Sequence, residues 1–388
     1  MTVTTHVVSV SGGKDSTATY CMAVERGMPF RAVAADTGNE HPATYEAVNR
    51  LHERTGGPKV EWVKADFADR IYAKRAYVEK HWRAGLLAGT PGKWVWRPLS
   101  SWVAAGMAYP DAPLVPLDQY EGRAPAVPHE HGRWVWQQGY RPLTEAEADE
   151  VVETALTWLR PTGVPFFDMC IWKGRFPARK AQFCTHELKV GPIDEHVTRP
   201  LLAKGNVISW QGVRASESEA RRYLKPFQRL NSHPDLPGRL IVYRPLLRIE
   251  SVDEVFAISA RHGVPANPLY GWGLKRVGCF PCINCAKDEL ALVDEFFPEQ
   301  IDRLEDWEIG VSKCSKRGVS TFFNIINDPV MQAEWTASEN LGRRLVVSPE
   351  EHGIRRMVEW AKTDRGGRQY SLLARDASTV CSQWGACE

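Results

Sequence analysis

The stretch Ser9-Val10-Ser11-Gly12-Gly13-Lys14-Asp15-Ser16-Thr17 decides the fold of the amino-terminal half of this chain. It follows the apolar pair Val7-Val8 and precedes residues 18–26, which have helical character and end at Gly27. A strand, a glycine turn and a helix start in this order form a cradle for phosphate, because the first N–H groups of a helix have no partner within it. The stretch therefore predicts a phosphate-binding loop, with an incidental glycine turn as the alternative.

The side chains of this loop suit phosphate oxygens. Lys14 supplies a positive charge, and Ser11, Ser16 and Thr17 supply hydroxyl groups. The pattern differs from the Walker loop, because Gly12 and Gly13 are adjacent and an acidic residue, Asp15, follows the lysine. We expect Lys14 and Asp15 to be catalytic residues, although helix capping would also explain Asp15 or Ser11.

Composition is that of an ordinary globular protein. The 388 residues are 43% hydrophobic and 25% charged, with a net charge of +2 that gives no overall reason to expect a nucleic-acid partner. Residues 1–6 lack the features of a signal peptide, and no apolar run has membrane-spanning length, so we expect a cytoplasmic protein without a membrane partner. In that compartment, nine cysteines favour metal or redox chemistry over a disulfide framework.

Strand-like and helical stretches alternate in the amino-terminal part, which predicts an α/β fold with a doubly wound, mostly parallel sheet. The predicted strands are residues 6–10, 30–35, 60–64 and 206–211. Ligands of such sheets bind beyond the carboxyl ends of the strands. Residues 11–17 and 36–40 are therefore expected on one rim.

The pattern predicts four regions. Residues 1–84 form the first half of the nucleotide-binding domain, 85–141 an insert rich in tryptophan and proline, 142–265 the second half, and 266–388 a cysteine-cluster region with a tail. The insert holds Trp94, Trp96, Trp102, Trp134 and Trp136. These rings could stack on bases, but a small core within the insert is the favoured interpretation. Thr144 to Glu147 read as a capping box that begins a helix.

Three cysteines at steps of three, Cys279, Cys282 and Cys285, have the spacing of ligands for zinc or an iron–sulfur cluster. A ferredoxin would place a fourth cysteine at position 289, which is Glu here, so a fourth ligand must come from elsewhere. The distant candidates are Cys184, Cys314, Cys381 and Cys387.

The surrounding segments resemble assimilatory adenylyl-sulfate reductases. Asn267 to Tyr270 and the Gly278-Cys279-Phe-Pro-Cys282 segment match one half of the cluster region of that family, and Cys184-Thr-His-Glu-Leu-Lys189-Val-Gly-Pro192 matches the other half. In the second segment Thr185 occupies the position of a family cysteine, and Cys285 could replace it. The resemblance implies a [4Fe-4S] cluster held by Cys184, Cys279, Cys282 and Cys285, with structural Zn²⁺ as the alternative.

Further segments resemble the phosphoadenylyl-sulfate (PAPS) reductase family within the adenine nucleotide alpha hydrolase superfamily. Asp36-Thr37-Gly38 is similar to the segment that contacts adenosine, and Gly212-Val-Arg214, with Arg222, is similar to the segment that grips phosphate or sulfate. The resemblance implies that Asp36 engages adenosine or Mg²⁺, and that Arg214 and Lys189 neutralise charge on the transferred group.

Reductases of this family typically have a degenerate phosphate loop, whereas the loop here is intact. The intact loop resembles that of relatives that install sulfur in nucleic acids, such as the DNA phosphorothioation sulfurtransferase. It implies that ATP is cleaved to AMP and pyrophosphate, and that sulfur reaches a nucleic acid or nucleotide from a donor protein of the cysteine desulfurase or thioredoxin type.

Two other functions stay open, namely a thioredoxin-linked reductase that acts on adenylyl sulfate and a nucleotide-sensing subunit of a larger complex. The tail ends in Cys381-Ser-Gln-Trp-Gly-Ala-Cys387-Glu388, which weakly resembles the tail carrying the nucleophilic cysteine of the reductases. We expect Cys381 or Cys387 to be the sulfur-handling nucleophile.

Overall fold

The computed structural model describes residues 3–98, 132–137, 139–179, 181–323, 333, 336–338 and 348–363. Cys381, Cys387 and Trp102 lie outside these residues, so the predictions for them stay predictions. In the described residues, no helix combines the length and the apolar character needed to cross a membrane.

A six-stranded sheet carries the fold. Its strands, in spatial order, are β3 (Val60–Lys64), β2 (Phe30–Asp36), β1 (Thr4–Ser9), β6 (Asn206–Trp210), β8 (Leu240–Tyr243) and β7 (Phe227–Leu230). All neighbours pair in parallel except β7, which runs antiparallel to β8 at the edge. The predicted α/β fold with a doubly wound, mostly parallel sheet is confirmed.

Helices cover both faces of this sheet, because successive residues of each strand point to opposite sides. Val8 of β1 packs into one apolar cluster with α1 (Lys14–Glu25) and α9 (Val252–Ala260), while Val7 packs into another with residues 197 and 202. The other helices are α2 (Pro42–Asn49), α3 (Leu51–Thr55), α4 (Ala68–Ala88), α5 (Glu145–Trp158), α6 (Pro165–Lys173), α7 (185–202), α8 (Glu219–Arg222), α10 (Lys287–Phe296), α11 (Pro298–Lys313), α12 (Pro349–His352) and α13 (Ile354–Ala361).

Helix α7 is one continuous helical segment with two π-helical stretches, Thr185–Val190 and Asp194–Thr198. Such stretches are rare and frequently lie at functional sites. Short 3₁₀ helices are formed by Ala215–Glu217 and Pro268–Trp272.

The boundaries of several elements differ from the predicted ones. Helix α1 begins at Lys14 rather than after Thr17, so the loop and the helix overlap. Helix α2 ends at Asn49 and α3 begins at Leu51, with Arg50 between them, and α4 continues to Ala88, beyond the predicted start of the insert. The Thr144 capping box is present, because the side chains of Thr144 and Glu147 each bond to the other's backbone N–H.

The described part of the insert is an antiparallel pair, β4 (Lys93–Pro98) and β5 (Gly132–Gln137). The rings of Trp94 and Trp136 meet edge to face at 5.3 Å. Two of the five tryptophans of the insert therefore pack on each other.

A third apolar cluster joins α4, α5 and α6 to the carboxyl-terminal helices α11 and α13. Glu308 of α11 is fully buried inside it, and its carboxylate accepts hydrogen bonds from the N–H groups of Phe322 (2.6 Å) and Ile354 (2.7 Å). Burial outweighs these bonds and raises the pKa of Glu308 to about 8.

We expect Glu308 to make the stability of the protein depend on pH. Because its pKa is raised on folding, its stabilising contribution is complete below its ordinary pKa of 4.5 and is lost as the pH rises towards about 8. Urea unfolding should show the wild-type protein losing stability across this range relative to Glu308→Gln, which cannot ionise. Glu295→Gln, an exposed change on α10, is the control, and a constant difference between wild type and Glu308→Gln would contradict the expectation.

Candidate functional site

The phosphate loop lies where β1 ends and α1 begins. Gly12 has a φ of +79°, and a Cβ there would lie 2.7 Å from Cγ2 of Thr44, so a side chain at this position is excluded on both counts. Gly13 is the extended residue that precedes α1. The hydroxyl of Ser16 accepts from the N–H of Ser11 and contacts its hydroxyl, both at 3.0 Å, which fixes the bend of the loop.

A buried ion pair anchors the loop to the far half of the sheet. Asp15 is fully buried, and its Oδ1 lies 2.5 Å from Nε of Arg214, which is itself only 4% exposed. Nη1 of Arg214 donates to the hydroxyl of Ser216 at 3.2 Å. At Gly212 the chain passes so close to the loop that a Cβ would lie 2.7 Å from the carbonyl carbon of Asp15.

Arg214 was expected to neutralise charge on the transferred group, and the structure places it against Asp15 instead of at the surface of the cleft. Lys14 remains accessible, because its side chain is 14% exposed and its Nζ lies 3.1 Å from Oδ2 of Asp15. Arg222 is exposed on α8 and makes no contact with the loop among the hydrogen bonds and ion pairs of the described residues.

The carboxyl-terminal region closes over the loop, which the sequence analysis did not predict. The N–H of Lys14 donates to the hydroxyl of Tyr270 at 2.9 Å, and Nδ2 of Asn267 donates to the hydroxyl of Thr44 at 3.1 Å. Thr44 in turn donates to the carbonyl of Val277 at 2.6 Å. Asn267 and Tyr270 lay within a matched segment, but nothing in the sequence indicated that this segment touches the loop.

A cleft opens between the carboxyl ends of β1 and β6. At this point the chain connections leave in opposite directions, which is where open α/β sheets bind ligands. Polar atoms from the loop and apolar side chains from α7 share its wall, as a nucleotide with a charged tail and an apolar base requires. The cleft is lined by Ser11, Ser16, Glu40, Lys189, Val190 and Ile193, among others.

The residues after β2 form a tight acidic turn. Oδ1 of Asp36 accepts from the N–H of Gly38 at 2.9 Å and from the hydroxyl of Tyr45 at 2.6 Å. Thr37 donates through its hydroxyl to Oε1 of Glu40 at 2.6 Å. Burial, together with Glu40 and Asp36, raises the pKa of Tyr45, so its hydroxyl stays protonated and acts as a donor.

Glu40 and Lys189 face each other across the cleft, and Glu40 was not singled out by the sequence analysis. Burial raises the pKa of Glu40, although the Thr37 hydroxyl and Lys189 oppose this shift. Burial alone would lower the pKa of Lys189, but the nearby Cys279, Glu40, Cys282 and Cys184 raise it above its ordinary value. Lys189 is therefore the charged group that connects the cleft with the cysteines.

The four predicted cysteine ligands lie in one region. Burial, together with Cys279 and Cys282, raises the pKa of Cys184 to about 12, and burial, together with Glu40 and Cys282, raises that of Cys279 to about 11. Cys285 lies next to Cys282, but its thiol donates to the carbonyl of Ala286 at 3.2 Å. Cys170, which the sequence analysis did not single out, is buried beside Cys184.

The donor chemistry of these thiols fits an iron–sulfur cluster or Zn²⁺, but their arrangement does not yet form a ligand set. In the part of the chain that the structure describes, no three Cys, His, Asp or Glu side chains lie close enough together to hold a metal ion.

One family model and two individual proteins are similar to this chain. The family model described as phosphoadenosine phosphosulfate reductase domain matches residues 5–86 and 170–285, which contain the loop, the acidic turn, Arg214 and all four cysteines. The chain is 41% identical over 389 residues to an uncharacterized 37.8 kDa protein in the gpa 5' region of Escherichia phage 186, with 99% of this chain and 97% of that protein covered. A crystal structure of PAPS reductase from Candida auris in complex with phosphate is 14% identical, with a TM-score of 0.33 over 71% of this chain and 82% of that chain.

Proposed function

Because the chain belongs to the phosphoadenosine phosphosulfate reductase domain family, we propose that it binds ATP, adenylates a substrate with release of pyrophosphate, and transfers sulfur to a nucleic acid or nucleotide. The observation that carries the proposal is the complete phosphate loop at the cleft between β1 and β6. A reductase of adenylyl sulfate has no pyrophosphate to release and therefore no need for such a loop.

Each part of the loop has a role in this reaction. The backbone at Gly12 and Gly13 and the hydroxyls of Ser11, Ser16 and Thr17 hold the β- and γ-phosphates as pyrophosphate forms. Lys14 neutralises the charge that develops on the leaving oxygen. Asp15 and Arg214 keep the start of α1 in position, because they are paired with each other in the buried interior.

The nucleoside end of ATP occupies the cleft beyond the loop. Thr37 and Gly38 flank the adenosine, and Asp36 supplies a carboxylate for a Mg²⁺ ion that accompanies the phosphates, since hard cations prefer oxygen ligands. Lys189, charged and directed at the cleft, balances the negative charge of the adenylated substrate.

The reaction proceeds in two balanced steps. An oxygen of the substrate attacks the α-phosphorus, the bond between the α-phosphorus and the bridging oxygen breaks, and pyrophosphate leaves. A persulfide then displaces AMP, so that the activated oxygen departs with AMP and a mixed disulfide links the substrate to the protein. The second tail cysteine attacks this disulfide and releases the thiolated substrate.

In this sequence of steps Cys381 and Cys387 carry the persulfide and resolve the mixed disulfide, and they end as a disulfide with each other. A donor protein of the cysteine desulfurase type supplies the sulfur, and a thioredoxin-type dithiol reduces the disulfide for the next cycle. None of these steps depends on a metal cluster.

Cys184, Cys279, Cys282 and Cys285 are proposed to hold a [4Fe-4S] cluster, with Zn²⁺ as the alternative. We expect anaerobically purified protein to contain iron and acid-labile sulfide and to show a broad absorbance near ~400 nm that bleaches on reduction. Cys282→Ser should abolish this absorbance, while Cys21→Ser, which alters a buried thiol of α1, should retain it. Stoichiometric zinc without iron would exclude the cluster.

The proposed activity is tested by giving the protein ATP and adenylyl sulfate in separate reactions and assaying pyrophosphate and sulfite. Pyrophosphate from ATP, dependent on a sulfur donor and an acceptor, supports the proposal. Sulfite from adenylyl sulfate without ATP would instead identify a thioredoxin-linked reductase. If neither pyrophosphate nor sulfite forms, the result favours a nucleotide-sensing subunit that binds the nucleotide without catalysis.

A further inference from the structure

A patch of exposed basic and aromatic side chains lies on residues 222–229, outside the cleft. Tyr223 is 80% exposed and Phe227 is 59% exposed, which is unusual for rings of this size. Arg222, Lys225 and Arg229 are exposed beside them, and none of the three takes part in an ion pair among the described residues. We refer to these five residues as the basic aromatic patch.

Two side chains of this patch share one face of the edge strand. Phe227 and Arg229 are spaced by two along β7, so they point to the same side, and Lys225 precedes the strand by two residues. One face of the Phe227 ring stacks on Tyr243 at 4.3 Å and 15°, which holds the ring in place with the rest of it in solvent. The result is a fixed aromatic platform with the Arg229 cation on the same face of the strand.

The patch lies on the same rim of the sheet as the phosphate loop. Phe227, the first residue of the antiparallel strand β7, pairs with Tyr243, the last residue of β8. Since β8, β6 and β1 are parallel, this places Phe227 at their carboxyl ends. Three strand spacings separate β7 from β1, or about 14 Å.

An ion-pair chain fixes the patch relative to the loop. Asp15 binds Arg214, whose N–H donates to Glu217 at 3.2 Å, and Glu217 binds Arg221 of α8. The next two residues after Arg221 are Arg222 and Tyr223 of the patch. This largely buried chain of contacts therefore holds the patch at a fixed position relative to the loop.

From this arrangement we infer that the basic aromatic patch binds single-stranded nucleic acid and leads it across β8 and β6 to the phosphate loop. Cations that track phosphates, combined with rings on which bases stack, are the features of single-strand binding surfaces. This inference rests on the proposed function and assigns its acceptor to the nucleic acids.

The test uses the full-length protein, fluorescent single-stranded DNA and RNA of one sequence, and anisotropy measured over a range of salt concentrations. The triple variant Arg222→Gln/Lys225→Gln/Arg229→Gln should reduce the slope of log K against log salt by about 2, since each single-strand phosphate contact contributes about 0.7. Tyr223→Ala should weaken binding about 10-fold through lost stacking, with little change in slope.

The matched control changes three exposed cations on the opposite rim, Lys59→Gln/Lys204→Gln/Arg239→Gln, and should bind as the wild type does. Equal binding by both triple variants, or no binding by the wild type at low salt, would overturn the inference. The inference would also be overturned if the wild-type protein dimerises and Phe227→Ala abolishes the dimer, because the edge strand β7 would then pair with a second copy. Pyrophosphate release is assayed separately. If the wild-type protein binds DNA through the patch but releases no pyrophosphate from ATP, the proposed function is refuted and the inference about the patch stands.

Discussion

Lys14→Ala is expected to weaken ATP binding about 10- to 100-fold while the protein stays folded. A hydrogen bond to a charged group contributes about 1.5–3 kcal/mol, and each 1.4 kcal/mol changes affinity tenfold. The fold is expected to survive because Asp15, the buried neighbour of Lys14, keeps its ion pair with Arg214. Isothermal titration with ATP measures the loss, and circular dichroism checks the fold.

Lys59→Ala is the control for this prediction, since Lys59 is exposed and precedes β3 at the rim opposite the loop. It should bind ATP like the wild type. Unchanged ATP affinity in Lys14→Ala would mean that the loop does not hold phosphates, and the nucleotide site would have to be sought elsewhere.

Arg214→Met is expected to lower the free energy of unfolding by about 3–5 kcal/mol, because it leaves the fully buried Asp15 without its guanidinium partner. Loss of this pair also removes the charged contact between the loop and the segment after β6. Urea unfolding followed by tryptophan fluorescence measures the change, and ATP affinity should fall with it.

Arg222→Met makes the same chemical change at an exposed position eight residues along the chain, and it should alter stability by less than about 0.5 kcal/mol. Should Arg214→Met fail to fold, Asp15→Asn/Arg214→Met removes both charges and is expected to recover part of the loss. Wild-type stability in Arg214→Met would show that the pair is not important for the loop.

Local patterns predicted the elements around the site well. The strand Val60–Lys64 was predicted with its observed ends, and the other predicted strands differ by one or two residues at their ends. The glycine loop and the rim that it shares with residues 36–40 also follow from short stretches of chain. Each of these features depends on neighbours in sequence, where side-chain period and turn residues carry the information.

Contacts between distant parts of the chain were not predictable in this way. Tyr270 binds the N–H of Lys14 across 256 positions, and Arg214 pairs with Asp15 across 199. Arg214 was assigned to the transferred group through the family resemblance of its segment, and nothing in the sequence indicated that Asp15 is its partner. The basic aromatic patch also appears only when the antiparallel pairing of β7 brings residues 222–229 to the loop's rim.

The most direct test of the central claim follows ATP labelled in its γ-phosphate, in the presence of single-stranded DNA and a persulfide-loaded donor protein. Cleavage between the α- and β-phosphates should place the label in pyrophosphate, with an equal amount of AMP, and Lys14→Ala should not catalyse it. Label in orthophosphate with formation of ADP, or intact ATP while adenylyl sulfate yields sulfite, would contradict the account.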